Sequence, residues 1–221
     1  MKVYGSQASP FVQRVLMAAR LKGHELPVEF PAGGDLKSPD FLAISPLGRI
    51  PVLDDDGWTL PESAAIVGYL DDVLSGPKLY SADPRAKARV CLIESLVQCE
   101  LTGFRPIMAG AVFGVPIAAE VQTAGREQIK CALDALVKTR EAGDAFAVGN
   151  SATAADCALF PMLILFEIAE PFAQTLELLE SHDELVRYRQ RMEDDPIVGR
   201  SAREMREHFG AIIARRRGEA A

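Results

Sequence analysis

The stretch LGRIPVLDDDGWTLPESAAI, residues 47–66, decides how the first part of this chain folds. It holds two short β-type runs, PVLD and WTL, joined by DDDG, whose acidic and glycine residues favour a tight hairpin. Pro51 opens the first run without the N–H that a strand needs, which favours a turn or a cis bond before it. Helical spacing begins at Glu62 and Ser63 and continues to residue 74. The stretch predicts a hairpin followed by a helix.

Upstream of this stretch, strand and helix signals alternate. KVYG at residues 2–5 and LPVEF at residues 26–30 are typical of strands, and residues 10–22 carry apolar positions at helical spacing. Ser9 and Pro10 are expected to begin that helix. Serine is a favoured N-cap, and proline suits the first helical position because its missing N–H would be unpaired there anyway. The predicted order is strand, helix, strand, irregular segment, hairpin, helix.

Downstream, the composition changes at SGPKLYSADPRAK, which predicts a linker at residues 76–86. Strand signals largely stop beyond it. One helix start is marked by Thr153 and Asp156, whose carboxylate can reach back to the cap as in a capping box. The domain prediction is therefore an α/β unit over residues 1–75 and an all-helical unit over residues 87–221. Helices are expected over residues 85–113, 117–142, 153–169, 173–193 and 198–216.

Charge and composition exclude several classes of protein. The 221 residues include 31 acidic and 24 basic side chains, and the net charge of -7 offers no general attraction to nucleic acid or to anionic membranes. No secretory pattern or membrane-spanning stretch is present, so we expect a cytoplasmic protein. The cysteines form no CxxC pair and lie in apolar-periodic segments, which favours four buried thiols and no metal site. These are Cys91, Cys99, Cys131 and Cys157.

The common catalytic signatures are missing. The chain has no GxSxG, P-loop, GxGxxG after a strand, or HExxH motif. Its histidines, His24, His182 and His208, stand in charged settings without a nucleophile nearby in sequence. A Ser-His-Asp mechanism for Ser9 is therefore disfavoured.

Three pieces remain: SPF at residues 9–11, GRIPVL at residues 48–53 and PESAAI at residues 61–66. In this order and spacing they resemble the cytosolic glutathione S-transferases of the serine type, with features similar to the tau, omega and zeta classes. The resemblance covers nearly the whole chain. It implies an α/β thioredoxin-like N-terminal domain that binds glutathione, followed by an all-α C-terminal helical domain.

The resemblance also implies which residues hold glutathione. Ile50, preceding a cis Pro51, would bond to the cysteinyl backbone. Glu62 and Ser63 would hold the γ-glutamyl end. Arg49 would face the glycyl end, in a place where lysine is common, and keeps the charge with a different geometry.

Ser9 is the residue that the resemblance assigns to catalysis, and Ser6 is its competitor in the same loop. A serine hydroxyl would donate a hydrogen bond to the glutathione sulfur. Omega-like members carry cysteine at this place, so Ser9 argues against thiol-dependent deglutathionylation. A pocket for the electrophile is expected between this loop and the first long helix of the second part. Its candidate lining residues, most of which could instead be core, are Phe11, Phe104, Arg105, Met108 and Phe113.

The resemblance therefore implies a glutathione transferase for detoxification, which would join the glutathione thiolate to a small hydrophobic electrophile. The resemblance further implies a homodimer, with no metal, nucleic acid or membrane partner. One alternative is a glutathione-dependent isomerase of the maleylacetoacetate type, whose SSxS loop is only partly matched by Ser6-Gln7-Ala8-Ser9. Another is a non-catalytic scaffold with the same fold, which the retained Arg49, Pro51, Glu62 and Ser63 oppose.

Overall fold

A computed structural model describes residues 1–141, 143–174 and 176–219, apart from the side chains of residues 111–113, 176 and 216–219. Its internal packing divides the chain into two units. The first unit consists of Met1–Leu79 together with the segment from Asp195 onward, and the second is Tyr80–Asp194. The sequence assigns that last segment to the helical domain, and the domain boundaries at residues 75 and 87 stay a prediction.

The first unit contains a four-stranded sheet formed by β1 (Lys2–Tyr4), β2 (Val28–Glu29), β3 (Val52–Asp55) and β4 (Trp58–Pro61) in the order β2-β1-β3-β4. β1 pairs in parallel with β2 and antiparallel with β3, and β3 and β4 form the predicted hairpin. Asp56 and Gly57 join these two strands with φ angles of 52° and 92°. Two consecutive positive φ angles are typical of the type I′ turn, one of the two common turns in two-residue hairpins.

Ten α-helices lie within the described residues. None of them is long and apolar enough to cross a membrane. Their bounds are α1 Pro10–Leu21, α2 Pro39–Ile44, α3 Ser63–Val73, α4 Pro84–Cys99, α5 Phe104–Phe113, α6 Ala119–Thr139, α7 Ala154–Ala173, α8 Leu176–Glu180, α9 Asp183–Asp194 and α10 Val198–Glu219.

The helix boundaries correct the sequence prediction in three places. α2 lies in the segment expected to be irregular, where Ser38 accepts a capping bond from Phe41. The helix predicted over residues 85–113 is divided by a 3-10 turn, in which the backbone of Gly103 approaches Gly125 too closely for a Cβ atom. The helix predicted over residues 173–193 is divided at Ser181, whose hydroxyl donates to the carbonyl of residue 178 in the preceding turn.

The core of the first unit lies between α1 and the helices packed against it. α1 contacts both α3 and α10. Its Val12 and Val15 are fully buried, as are Ile66 of α3 and Val198 and Met205 of α10. Because α10 covers one face of α1, the two ends of the described chain stabilise the same unit.

The second unit is organised around α7. Asp156, in its first turn, accepts hydrogen bonds from the N–H of Thr153 at 2.8 Å and from its hydroxyl at 3.0 Å. The same carboxylate accepts from the N–H of Ala147 at 2.7 Å and from the hydroxyl of Tyr188 at 2.9 Å. The expected helix start at Thr153 is therefore confirmed, and its carboxylate also fixes a loop and α9.

The cysteine prediction is wrong for three of the four thiols. Cys157 is buried, whereas Cys91, Cys99 and Cys131 are exposed. On α4 the buried apolar residues are Val90, Ile93 and Val97, and both of its cysteines lie on the exposed side of the helix. A cysteine next to the buried apolar face of a helix can therefore have helical spacing to that face and still be exposed.

Candidate functional site

The register of the sheet brings three separate segments to one edge. Tyr4 lies opposite Val52, and Val52 lies opposite Pro61. These residues are the last of β1, the first of β3 and the last of β4. Because both pairings are antiparallel, the loop after β1, the turn before β3 and the start of α3 all leave the sheet at the same edge.

These three segments carry every residue that the sequence predicts for thiol activation and glutathione binding. Two of the three reach a helix N-terminus, where backbone N–H groups have no intrahelical partner. In the described part of the chain, no group of three or more His, Cys, Asp or Glu side chains is arranged to hold a metal ion. The residues at this edge are Ser6, Ser9, Arg49, Ile50, Pro51, Glu62 and Ser63.

Ser9 occupies the N-cap position of α1, with Pro10 first in the helix. This confirms the expected position, but the hydroxyl of Ser9 makes no capping bond. The loop is held by its backbone instead, since Ser9 N–H donates to Ser6 C=O at 2.9 Å and Ser9 C=O accepts from Gln13 N–H at 3.0 Å. Among the described residues the half-buried hydroxyl of Ser9 has no hydrogen-bond partner, so it is available to a ligand.

Ser6 differs from Ser9 in the use of its hydroxyl. Its Oγ accepts a hydrogen bond from the N–H of Ala8, two residues along, at 3.4 Å. Such a bond is typical of a serine that shapes its own loop. The two serines therefore differ: the hydroxyl of Ser6 is bonded within its own loop, and that of Ser9 has no partner among the described residues.

The turn before β3 contains a cis peptide bond between Ile50 and Pro51, one of the two alternatives predicted for this position. The turn is fixed by Ser45, which is 2% exposed. Its hydroxyl accepts from Arg49 N–H at 3.0 Å and donates to Arg49 C=O at 2.8 Å. Gly48 has a φ of 58°, and a Cβ there would lie 2.5 Å from the carbonyl of residue 36. The N–H of Ile50 has no partner within the described residues.

The start of α3 combines an exposed carboxylate with a buried hydroxyl. Glu62 is its N-cap, with φ 72° and ψ 112°, a conformation that is strained for a residue with a side chain. Ser63 follows as the first helical residue and is 3% exposed. Neither side chain is hydrogen-bonded to another described residue. Backbone strain of this kind costs about 1–3 kcal/mol and is found mainly at functional sites.

The charge at this edge comes from Arg49 and Glu62, both exposed. Neither side chain forms an ion pair with any residue that the structure describes. Each can therefore meet an ionic group of opposite sign on a ligand without first breaking an internal salt bridge.

The residues proposed to line an electrophile pocket have different surroundings. Phe104 is 1% exposed and packs edge-to-face against Phe166, with ring centroids 4.8 Å apart, and Met108 is also buried. Both are core residues, the alternative that sequence favoured for most of this set. Phe11 is half-buried and Arg105 is exposed. The side chain of Phe113 lies outside the described residues.

Sequence reasoning missed two residues that support this edge. Ser45 precedes a proline in a turn-forming segment, so a serine-to-backbone bond could have been suspected there. Gln13 is the other, a polar side chain in the apolar stretch of α1 that is fully buried. A buried amide needs partners, but its position in the sequence does not say which ones.

Comparison with known proteins identifies the family. The family model for the glutathione S-transferase N-terminal domain matches residues 3–78, and that for the C-terminal domain matches residues 119–191. Glutathione S-transferase Z2 of Arabidopsis thaliana is 31% identical over 198 residues, covering 84% of this chain and 87% of that protein. A maleylacetoacetate isomerase of Pseudomonas aeruginosa is 39% identical over 106 residues, 46% of this chain and 50% of that protein.

A solved structure agrees with these matches. The maleylacetoacetate isomerase from Methylobacterium extorquens AM1, with bound malonate and GSH, has a TM-score of 0.72 at 28% identity, covering 93% of this chain and 97% of that one. The fold is thus that of a thioredoxin-like domain followed by a helical domain, as predicted. The chain belongs to the glutathione S-transferase superfamily. The match to the Pseudomonas isomerase spans only half of that protein's length.

Proposed function

We propose that this chain is a glutathione transferase, which binds glutathione at the sheet edge described above and activates its thiol for attack on a hydrophobic electrophile. The observation that carries the proposal is the register of Tyr4, Val52 and Pro61. It gathers at one edge a helix N-terminus together with a serine hydroxyl and a backbone N–H that have no hydrogen-bond partner among the described residues. The superfamily membership supports the same conclusion.

The groups at this edge match the chemistry of glutathione one by one. The N–H of Ile50 suits the cysteinyl carbonyl. The carboxylate of Glu62 suits the γ-glutamyl ammonium, while the hydroxyl of Ser63 and the first N–H groups of α3 suit the neighbouring carboxylate. The guanidinium of Arg49 suits the glycyl carboxylate.

Ser9 would then stabilise the thiolate. A hydrogen bond to a charged acceptor contributes about 1.5–3 kcal/mol, or roughly one to two pKa units. From a free-thiol pKa near ~8.5, that shift ionises a large share of the bound thiol at neutral pH. The thiolate sulfur forms a bond to the electrophilic carbon, and the leaving group departs with the electron pair. Ser9 is favoured over Ser6 because it is the N-cap of α1, where the positive end of the helix dipole adds to the effect of its hydroxyl on a thiolate.

The test is a thiolate absorbance titration of bound glutathione in the wild type, Ser9→Ala and Ser6→Ala. We expect Ser9→Ala to raise the bound thiol's pKa by about one to two units, with glutathione affinity changed much less. Ser6→Ala serves as the matched control and should keep the wild-type titration. An unchanged titration in Ser9→Ala, or the shift in Ser6→Ala instead, would overturn the assignment.

A second candidate function is glutathione-dependent isomerisation. Three of the similar proteins, two curated relatives and one solved structure, carry the name maleylacetoacetate isomerase, and this observation favours it. The same thiolate would add to a cis double bond, allow rotation about the resulting single bond and then leave. Product analysis with two substrates, an activated aryl halide and a cis-dienoate, separates the two reactions. Failure to bind immobilised glutathione would indicate the scaffold alternative.

The remaining assignments are part of the same proposal. A cytoplasmic homodimer is expected, and sedimentation of the purified chain tests the dimer directly.

A further inference from the structure

Gln13 links the loop that carries Ser9 to the last helix. Its side chain lies on α1, one turn beyond Ser9, and is fully buried. Its Nε2 donates to the carbonyl of Gln7 at 2.8 Å and to the carboxylate of Glu204, on α10, at 3.1 Å. The bonds join chain segments that are 191 positions apart.

The orientation of this amide is fixed by its neighbours. Both the Gln7 carbonyl and the Glu204 carboxylate are acceptors, so the NH2 group must face them. The Oε1 atom of Gln13 is buried and has no hydrogen-bond partner in the part of the chain that the structure describes. Because the backbone N–H of Gln13 also donates to the Ser9 carbonyl at 3.0 Å, one residue holds the loop at both Gln7 and Ser9.

Glu204 is itself held firmly. Its two oxygens accept from Nη2 of Arg20 at 2.8 and 2.9 Å, and one also accepts from Nε of Arg200 at 2.8 Å. Burial alone would raise the pKa of Glu204, but hydrogen bonds and charge from Arg20, with further bonds from Gln13 and Arg200, outweigh it and hold that pKa below its usual range. The anchor of the amide is therefore an ionised carboxylate with a defined position.

We propose that Gln13 is a positioning residue for Ser9, through which α10 sets the place of the thiol-activating hydroxyl. This inference rests on the proposed function, because it concerns how that site is held. The two hydrogen bonds of the Gln13 side chain, to Gln7 and to Glu204, are called the Gln13 clamp below. Without this clamp, the segment from Gln7 to Ser9 keeps its backbone turn but loses its link to α10. The hydroxyl then spends less time within hydrogen-bond reach of the sulfur, while Ile50, Glu62 and Ser63 still bind glutathione.

The expected result is a selective loss of thiol activation. Gln13→Met keeps the length of the side chain and removes both donors. We expect the pKa of bound glutathione to rise by about half a unit to one unit, which is a factor of about 3 to 10 in the ionisation constant. The turnover rate at neutral pH should fall by a similar factor, with KM for glutathione changed less than about twofold.

Two further variants separate this role from a general loss of stability. Glu204→Gln removes the charged acceptor. Glu25→Gln makes the same chemical change on the exposed side of the cluster, where Glu25 contacts Arg200 at 2.5 Å and Arg20 only at 3.5 Å. Glu204→Gln should shift the thiol pKa in the same direction as Gln13→Met, whereas Glu25→Gln should titrate as the wild type does. A lowered melting temperature in all three with unchanged thiol pKa values would overturn the inference.

A second measurement needs no glutathione. Hydrogen exchange at the N–H of Ser9, which donates to Ser6 C=O, should be faster in Gln13→Met than in Glu25→Gln. Equal exchange in the two variants would show that Gln13 does not hold the loop. If the wild type itself forms no thiolate with glutathione, the proposed function fails, and the exchange result still decides whether the clamp exists.

Discussion

The Nζ atom of Lys22 lies 3.0 Å from Oδ1 of Asp71, and both side chains are almost completely buried. The same ammonium donates to the carbonyl of Pro77 at 3.0 Å, and Oδ1 of Asp71 accepts from the N–H of Leu79 at 2.8 Å. Gly76 lies so close that a Cβ there would meet the Lys22 carbonyl at 2.4 Å. This one ion pair therefore ties α1 to α3 and to the segment where the first unit ends.

Lys22→Met should destabilise the first unit strongly, because it removes the buried cation that lies 3.0 Å from the Asp71 carboxylate and leaves only the exposed Nζ of Lys78, 3.8 Å from Oδ2. Removing one partner of a buried pair costs about 3–5 kcal/mol. Lys2→Met is the control, since Lys2 lies in the same unit and pairs at the surface with Glu29, whose side chain is 52% exposed. Surface pairs contribute about 0–1 kcal/mol. Urea unfolding of both variants makes the comparison, and similar losses would contradict this account of the buried pair.

Glu62 combines a strained backbone with a carboxylate, and two substitutions separate these properties. Glu62→Gly and Glu62→Ala both remove the carboxylate, and both should weaken glutathione binding by about tenfold or more. Only glycine relieves the strain of φ 72°, so the Gly variant should be more stable than the Ala variant by about 1 kcal/mol.

The control for Glu62 is Asp56, in the hairpin turn, with a φ of 52°. Its Gly and Ala variants should differ in stability in the same direction while keeping wild-type affinity for glutathione. Calorimetric titration and thermal unfolding give the two quantities. If Glu62→Gly binds glutathione with wild-type affinity, the Glu62 carboxylate is not part of the binding site.

Ser45→Ala should loosen the turn before β3. The substitution leaves both backbone groups of Arg49 without the partner they have now, at a cost of about 1–3 kcal/mol. Because that turn presents Ile50, glutathione affinity should fall as well. Ser38→Ala removes the N-cap of α2 and should cost about 1 kcal/mol without changing affinity. Equal affinity in the two variants would show that the Ser45 bonds do not shape the site.

The pH dependence of stability should report the charge of Glu204. The pKa of this carboxyl in the folded state lies below its ordinary 4.5, because hydrogen bonds and charge outweigh its burial. A lowered folded pKa stabilises the protein above pH 4.5 and loses that contribution as the pH falls through the folded value. The difference in unfolding free energy between wild type and Glu204→Gln should therefore be constant near neutrality and shrink below pH 4.5. A difference that does not change with pH would mean that the carboxylate's charge does not stabilise α10.

Short-range features were the predictable ones. The hairpin is predictable from the sequence because its turn residues, Asp56 and Gly57, are adjacent. The start of α7 is predictable because Thr153 and Asp156 are only three residues apart. α2 was not predicted because its six residues make too few turns to show a helical periodicity. The burial of the α4 cysteines was predicted wrongly because spacing does not distinguish the centre of a helix's apolar face from its margin. The pieces of the candidate site were found in sequence. Their convergence depends on strand order, which pairs Tyr4 with Val52 across 48 positions that no local pattern encodes.

The clamp on the Ser9 loop also has a consequence for biosynthesis. Gln13 and Glu204 are 191 positions apart, and at about 5–20 residues per second a ribosome needs roughly 10–40 s to translate from one to the other. Throughout that interval the face of α1 that α10 will cover, including the guanidinium of Arg20, has no permanent neighbour. A nascent chain can therefore form its sheet early, but under the proposed role of Gln13 the Ser9 hydroxyl is held in its final position only after α10 has been made. Until then, α1 is a surface that a chaperone would meet.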